Sequence, residues 1–462
     1  MRLTKEILRL SLPSILANIT VPLVGMVDIA IAGHLSGEFG SAALIGGISV
    51  GTMLFDLLYW NFAFLRSGTG GLTAQAYGAA SDTGTILLRA LRLALICSLA
   101  IIAVQWMVVQ GAFWVVKCTP EVRELASQYF YIRVWAAPAT LSLFAFKGWF
   151  IGMQDSVRPM TADLLVNGVN IAASVVLALG IPGVFGGLGF RGIAFGTVIA
   201  QWTGFTYCTL AVLNRYRHCF AESSLKMGSK QGRVPKNQGV VLENGGKTRT
   251  ASYFSLNRDL FLRSVGMIAV YIGFTAISAG FGDLMLAVST ILMKLLMIFS
   301  YFTDGFAYAG EALTGRFIGE GSREGVQSTV HQTFAWSAGV AALFMLVYGL
   351  GGVPLFRLMT SDATVVEAGR MFLPWLLLMP LVGCPAFMWD GIFIGATASR
   401  ELRNSTLLCA LGFFAVWLAG KFIVPDSSPE TSLHILMAAY FVHLVIRSVY
   451  LTATRRRAVK WI

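Results

Sequence analysis

Charge is what this chain has least of. Asp, Glu, Lys and Arg make up 13% of its 462 residues, about half the share of an ordinary soluble domain. A soluble protein so poor in charge could not cover its surface with polar groups, whereas a chain dissolved in lipid need not. Cysteine is sparse too. The six cysteines are scattered, mostly inside apolar stretches, with no Cys-x-x-Cys and no Cys/His ligand spacing; they read as small packing residues rather than a disulfide framework or a metal site. No His-Glu-x-x-His zinc motif appears.

Apolar sequence is what remains. It supplies 56% of the residues, and the mean hydropathy is +0.70. A helix needs about 20 mostly apolar residues to cross the hydrocarbon of a bilayer. The runs 93–116, 192–213, 264–282, 325–356 and 371–389 meet that length or nearly so without one charged residue. Others carry a single charge, around Asp28, Asp56, Arg133, Asp163 and Lys294. Together they predict twelve spans, at 8–34, 41–65, 86–116, 123–151, 160–181, 192–214, 258–281, 284–309, 325–352, 365–394, 403–424 and 432–453. The expected fold is therefore an all-α integral membrane protein. The run from Leu10 to Val27 continues past Asp28 into more apolar sequence, so it reads as a retained first span, not a cleaved signal.

The net charge of +12 follows topology. Lys and Arg favour cytoplasmic loops. With both termini cytoplasmic, the inner segments hold Arg2, Lys5, Arg9, Arg89, Arg92, Arg158, Arg316, Arg323, Arg400, Arg403, Arg455, Arg456, Arg457 and Lys460. The outer loops are sparse or mixed, with Glu38, and with Lys117 beside Glu121. No soluble basic domain exists to bind nucleic acid.

Residues 215–257 form the one long polar segment and read as a flexible cytoplasmic linker. It separates an N-lobe, 1–214, from a C-lobe, 258–462, with six spans each. Gly-Gly-Lys-Thr at 245–248 fails as a phosphate loop, because Val241 stands where the first glycine belongs. The lobes resemble each other. Gly-Leu-Thr-Ala-Gln-Ala-Tyr-Gly at 71–78 matches Ala-Leu-Thr-Gly-Arg-Phe-Ile-Gly at 312–319, and Phe-Lys-Gly-Trp-Phe-Ile-Gly at 146–152 matches Trp-Asp-Gly-Ile-Phe-Ile-Gly at 389–395. The offsets, 241 and 243, are nearly equal, which points to internal duplication. Six spans per copy give both copies one orientation, a plan that transporters use for two halves rocking about a central site.

Ionisable groups inside a bilayer are costly and usually functional. Asp28 stands late in span 1 with apolar residues on both sides, and Pro22 is expected to break the helix nearby. Burial disfavours the charged form of a carboxyl group, so such a residue can take a proton on one side of a membrane and release it on the other. Asn167, Asn170, Ser174 and Thr197, in spans 5 and 6, are placed to surround it; Asn170 and Ser174 share a helix face. Lys147 and Asp390 occupy matching repeat positions with opposite charge and are expected to face each other across the axis, as a gate, a substrate contact or a structural pair. Lys294, in mid-span 8, needs a partner, for which Asp56 is a candidate. Gly-Phe-Gly-Asp at 280–283 matches a weak intramembrane aspartyl-protease pattern, with Asp283 at an expected outer turn and no second Asp placed beside it.

Four segments carry a family resemblance. They are Pro-Leu-Val-Gly-Met-Val-Asp with Gly-His-Leu (22–35), Phe-Leu-Arg-Ser-Gly-Thr-Gly-Gly-Leu-Thr-Ala-Gln-Ala (64–76), Asp-Gly-Phe-Ala-Tyr-Ala-Gly-Glu-Ala-Leu-Thr-Gly (304–315) and Trp-Asp-Gly-Ile-Phe-Ile-Gly-Ala-Thr (389–397). Over essentially its whole length the chain resembles the multidrug and toxic compound extrusion (MATE) transporters, in their DinF-like branch. The resemblance implies two pseudo-symmetric six-helix lobes around a V-shaped cavity, and efflux of amphipathic, often cationic compounds in exchange for H⁺ or Na⁺. It implies a coupling site at Asp28, Asn170 and Thr197. Relatives carry Asn-Ile-x-x-Asp in span 5, but here the last residue is Ser174. Losing that carboxylate weakens a Na⁺ site and favours H⁺. No cofactor or metal is expected. The protein is expected to be a monomer in the plasma membrane, the inner one if the cell is Gram-negative. A lipid-linked oligosaccharide flippase of the same superfamily is the alternative that Lys147 and Lys294 sustain. An intramembrane enzyme would need a carboxylate pair within hydrogen-bond distance.

Overall fold

The computed structural model describes residues 2–35, 40–116, 118–181, 183–184, 186–220, 247–360 and 362–459. Glu38, Lys117, Lys460 and most of the polar linker, with the glycines at 245 and 246, lie outside the described residues. Every element among those described is helical. In chain order α1 is Arg2–His34, α2 Ser41–Trp60, α3 Phe64–Gly78, α4 Gly84–Val115, α5 Pro120–Arg133, α6 Ala137–Gly152, α7 Val157–Leu179 and α8 Phe190–Arg215. Then come α9 Lys247–Ala279, α10 Asp283–Glu320, α11 Arg323–Met359, α12 Ala363–Arg370, α13 Leu373–Gly395, α14 Ser399–Ile423 and α15 Pro429–Ala458.

Eleven segments among the described residues are long and apolar enough to cross a membrane. Two of them join paired helices, α2 with α3 and α5 with α6. The remaining expected span, 192–214, forms α8, which at 26 residues is long enough to cross but includes Thr197, Gln201, Thr203 and Thr206. The twelve expected spans are thus all helical, with four differences, one being that the fourth span is two helices, α5 and α6, joined by a single tight turn at Val134–Ala136. Pro22 does not interrupt α1, which is continuous from Arg2 to His34; membrane helices tolerate proline because neighbouring groups satisfy the freed carbonyl. The second span does not stop at 65. Asn61 Nδ2 donates to the Leu57 carbonyl at 2.7 Å, the chain makes one tight turn, and helix resumes as α3. The tenth span is two helices, α12 and α13, with Pro374 at the start of the second, where a missing N–H costs nothing.

The chain packs as two units, Leu16–Asn237 and Met1–Ile15 with Gln238–Ile462. α1 therefore belongs to both: its first turns join the second-half helices, where Arg316 donates to Glu6 at 3.0 Å. In the first unit Phe146, Trp149, Phe150 and Cys208 form a core, and Trp149 Nε1 donates to the Thr83 carbonyl at 2.9 Å. In the second, Phe274, Phe299, Phe344 and Phe372 do the same.

Lipid gives little hydrophobic drive between helices, so close backbone approach through small residues must hold them together. Each unit uses the same device. A Cβ on Gly148 would lie 2.1 Å from the Arg66 carbonyl oxygen, and one on Gly152 would lie 2.7 Å from that of Gly70. In the second unit, a Cβ on Gly391 would lie 2.1 Å from the Ala307 carbonyl oxygen and one on Gly395 would lie 2.3 Å from that of Glu311. These are the glycines of the repeated Gly-x-Phe-Ile-Gly, and the contacts recur at the two offsets read from sequence. The turns recur as well. Gln154 and Thr397, matching positions after α6 and α13, have φ of 63° and 56°. Ala80 and Gly321, after α3 and α10, have φ of 46° and 77°. Duplication is thus written in backbone conformation, even where the residue is not glycine.

Candidate functional site

The site of the first unit is built where α7 and α8 touch. On α8, Gly192, Gly196 and Gly204 open a groove for α7; a Cβ on Gly196 would lie 2.4 Å from Ser174 Oγ. That closeness brings polar side chains together. Asn170 Nδ2 donates to Thr197 Oγ1 at 3.0 Å, and Thr197 and Ser174 both donate to the Ile193 carbonyl, at 3.3 and 3.4 Å. Asp28 of α1 is 5% exposed, Asn170 3%, Thr197 4% and Ser174 0%. The Ser174 hydroxyl faces the Asp28 carboxylate. One helical turn away, Asn167 Nδ2 donates to Thr20 Oγ1 of α1 at 2.7 Å, pinning α1 to α7. The four residues expected to form the coupling site therefore do meet, and Asn167 acts as a tether between helices.

Two acceptors at this site stay open. Among the described residues, none donates to Asp28 Oδ1 or to Asn170 Oδ1, and both atoms are buried. A buried acceptor without a donor is costly, so the pair is suited to receiving something that carries positive charge.

The cation nearest in effect is Arg133, at the end of α5. It acts electrostatically on both Asp28 and Asp56, donates to Tyr129 Oη at 3.0 Å and lies 4.7 Å over the Phe55 ring. Sequence reasoning noticed its charge but gave it no part. Its signal was a lone arginine inside a predicted span.

Other expectations are corrected. Lys147, expected to have Asp390 for its counterpart, makes an ion pair with Asp163 of α7, within its own unit. Asp390 is held by two arginines of its own unit. Arg263 Nη2 donates to Oδ2 at 2.5 Å and Arg447 Nε donates to Oδ1 at 3.2 Å. Arg447 is 2% exposed, and Asp304 of α10 also acts on it. Asp56 answers to Arg133 rather than Lys294. Lys294 is exposed, and among the described residues it has no hydrogen-bond or ion-pair partner. Arg263 and Arg447 escaped sequence reasoning because their partner lies 127 and 57 residues away, beyond any local pattern.

Enzyme motifs dissolve in this setting. Asp283 is simply the first residue of α10. Gly47-Ile-Ser-Val-Gly51 spells a nucleophile-elbow string, but it sits inside α2, with Gly47 packed on Leu125 and Gly51 on Tyr129, and no strand-to-helix turn presents the serine.

Duplicated apolar bundles with an open carboxylate among amides and hydroxyls define a multi-pass membrane transport protein. The MatE family model matches residues 13–176 and 260–418. Over 98% of its length the chain is 33% identical to DNA damage-inducible protein F of Escherichia coli, covering 92% of that protein. It is 22% identical over 90% of its length to a probable multidrug resistance protein NorM of Thermotoga maritima, covering 83% of that protein. In fold it matches the outward-facing conformation of a multidrug resistance MATE family transporter, with a TM-score of 0.80 and 18% identity over 99% of this chain and 97% of that one. A MATE in the bent conformation gives a TM-score of 0.79 at 17% identity, over 99% and 97%. The chain belongs to the MatE family; it is a transporter and not an enzyme.

Proposed function

We propose that this transporter is a secondary antiporter that expels amphipathic, often cationic compounds in exchange for H⁺, with Asp28 as the proton carrier. The observation that carries the reading is a buried carboxylate in α1 with one oxygen open among the described residues. With Asp28 ionised, the first unit holds one carboxylate more than Arg133 can balance, because Asp56 shares that arginine; a cation fits this state. Protonation removes the excess charge, releases the pull on α1 and α7, and weakens substrate binding as access changes sides. Ser174 faces the carboxyl, and Asn170 and Thr197, bonded to each other, hold α7 against α8 beside it.

One H⁺ exchanged for one monovalent cation moves no net charge. Only the pH gradient then drives efflux, about 1.4 kcal/mol or tenfold accumulation per pH unit. A neutral substrate would draw on voltage too, about 2.3 kcal/mol per charge at 100 mV. The protein acts as a monomer in the plasma membrane, with both termini in the cytoplasm, where the basic end of α15 belongs by the positive-inside rule.

Na⁺ coupling is the second reading, favoured by the two open oxygens of Asp28 and Asn170, which a cation of that size could bridge. Efflux of a fluorescent cation from proteoliposomes, with H⁺ and Na⁺ gradients imposed separately, decides between them. The H⁺ reading expects transport on a pH gradient alone, lost in Asp28→Asn. Transport on Na⁺ alone, or undiminished efflux by the variant, rejects it.

A further inference from the structure

Lys294 is the charge in the second unit that neither the fold nor the coupling reading uses. It lies eleven residues into α10, which begins at Asp283, so it stands about 16 Å from that end at 1.5 Å per residue. Half of a bilayer's hydrocarbon is about 15 Å, and a lysine stem cannot reach water from there through lipid. The other charges at depth in this unit are matched: Arg263 and Arg447 hold Asp390, and Asp304 acts on Arg447. Lys294 has no such partner among the described residues.

Its surroundings describe a face. Thr290, Lys294 and Ile298 follow at four-residue steps, and all three are exposed. The Thr290 hydroxyl is turned back to the Leu286 carbonyl at 2.7 Å, which leaves the ammonium as the free donor on that face, flanked by the exposed Ile298 side chain. The repeat supplies an independent pointer. At the first offset Lys294 matches Met53 of α2, which is 38% exposed, and one turn along that same face stands the exposed Asp56. Both copies therefore expose a charge on the matching helix, within one turn of the same position. Exposed charge at that depth marks a hydrated face, since a lipid-facing charge would be costly.

We propose that Lys294 binds an acidic group on the substrate, so that this carrier takes amphipathic compounds bearing a carboxylate or sulfonate, zwitterions included, as well as simple cations. The apolar neighbours, Ile298 foremost, suit the body of such a molecule. This inference deepens the efflux reading and rests on it for transport, though not for binding.

The test uses two probes on the purified full-length protein. Dansylglycine carries a carboxylate on an apolar ring system; ethidium is an apolar cation. In equilibrium binding, Lys294→Gln should weaken dansylglycine about tenfold or more, as expected when a charged hydrogen-bond partner is removed. It should leave ethidium unchanged or tighter, and Lys294→Arg should keep both. Equal dansylglycine affinity in wild type and Lys294→Gln, or no saturable binding by wild type, overturns the proposal. Should Lys294→Gln also fail to bind ethidium through misfolding, wild-type protein answers by itself. Dansylglycine should then protect Lys294 from an amine-reactive reagent where ethidium does not, and no protection overturns the assignment. Binding needs no ion gradient, so loss of pH-driven efflux in Asp28→Asn with dansylglycine binding intact separates the two readings.

Discussion

Asp28 of the first unit and Asp390 of the second are both buried, and they are held in opposite ways. Asp390 sits between Arg263 and Arg447. Asp28 keeps an oxygen open among the described residues and shares the distant pull of Arg133 with Asp56. The backbones of the two units repeat each other, down to the glycines packed against a facing carbonyl and the left-handed turns after α6 and α13. Duplication has thus preserved the packing while the charges diverged. A carboxylate clamped by two guanidinium groups is a structural tie for α9, α13 and α15. One that is only partly compensated is free to change its charge. The repeat position of Asp390 makes the same point from the other side: there the first unit has Lys147, paired with Asp163.

Breaking the clamp should have the largest effect on folding. Asp390→Asn leaves Arg447 buried at 2% exposure without the carboxylate it is paired with, and removing one partner of a buried pair costs about 3–5 kcal/mol. Thermal unfolding in detergent should show a much lower midpoint, partly restored by adding Arg447→Met. Asp28→Asn should leave that midpoint near the wild-type value while abolishing pH-driven efflux, the reverse of the Asp390 result.

Next come the shared glycines. Gly148→Ala and Gly391→Ala each push a methyl group onto a backbone carbonyl, and overpacking of this kind costs about 1–3 kcal/mol. The two losses should be similar, because the contacts are copies. A large difference would mean that one copy's packing is slack.

A smaller change sharpens the coupling site. Ser174 stands where the family resemblance led us to expect Asp. Ser174→Asp places a second carboxylate beside Asp28 and should give efflux a stronger dependence on Na⁺ than wild type shows, measured with separate ion gradients. Unaltered ion preference would show that a carboxylate at this position does not decide between H⁺ and Na⁺.

Much of this was legible in the sequence, and the limits have physical causes. Apolar runs mark spans because lipid demands them, so the helices stood out even where α8 is polar. Asp28, Asn170, Ser174 and Thr197 could be grouped because a charge and amides within spans are rare enough to notice. The partner of each ionised group could not be read. Lys147 found Asp163 on the next helix, and Asp390 found Arg263 and Arg447 far along the chain, because pairing is set by helix packing rather than spacing. The extension of the second span into α3 was hidden by its glycines and polar residues, which are buried against α6 rather than facing lipid.

The most direct test of the central claim is substrate-induced proton release from purified protein, read with a pH-sensitive dye in weakly buffered detergent. The account predicts that binding of a cationic substrate displaces about one proton per molecule in wild type. The release should vanish in Asp28→Asn and persist in any folded Asp390 variant, such as Asp390→Asn with Arg447→Met. Equal release with and without the Asp28 carboxylate would contradict it.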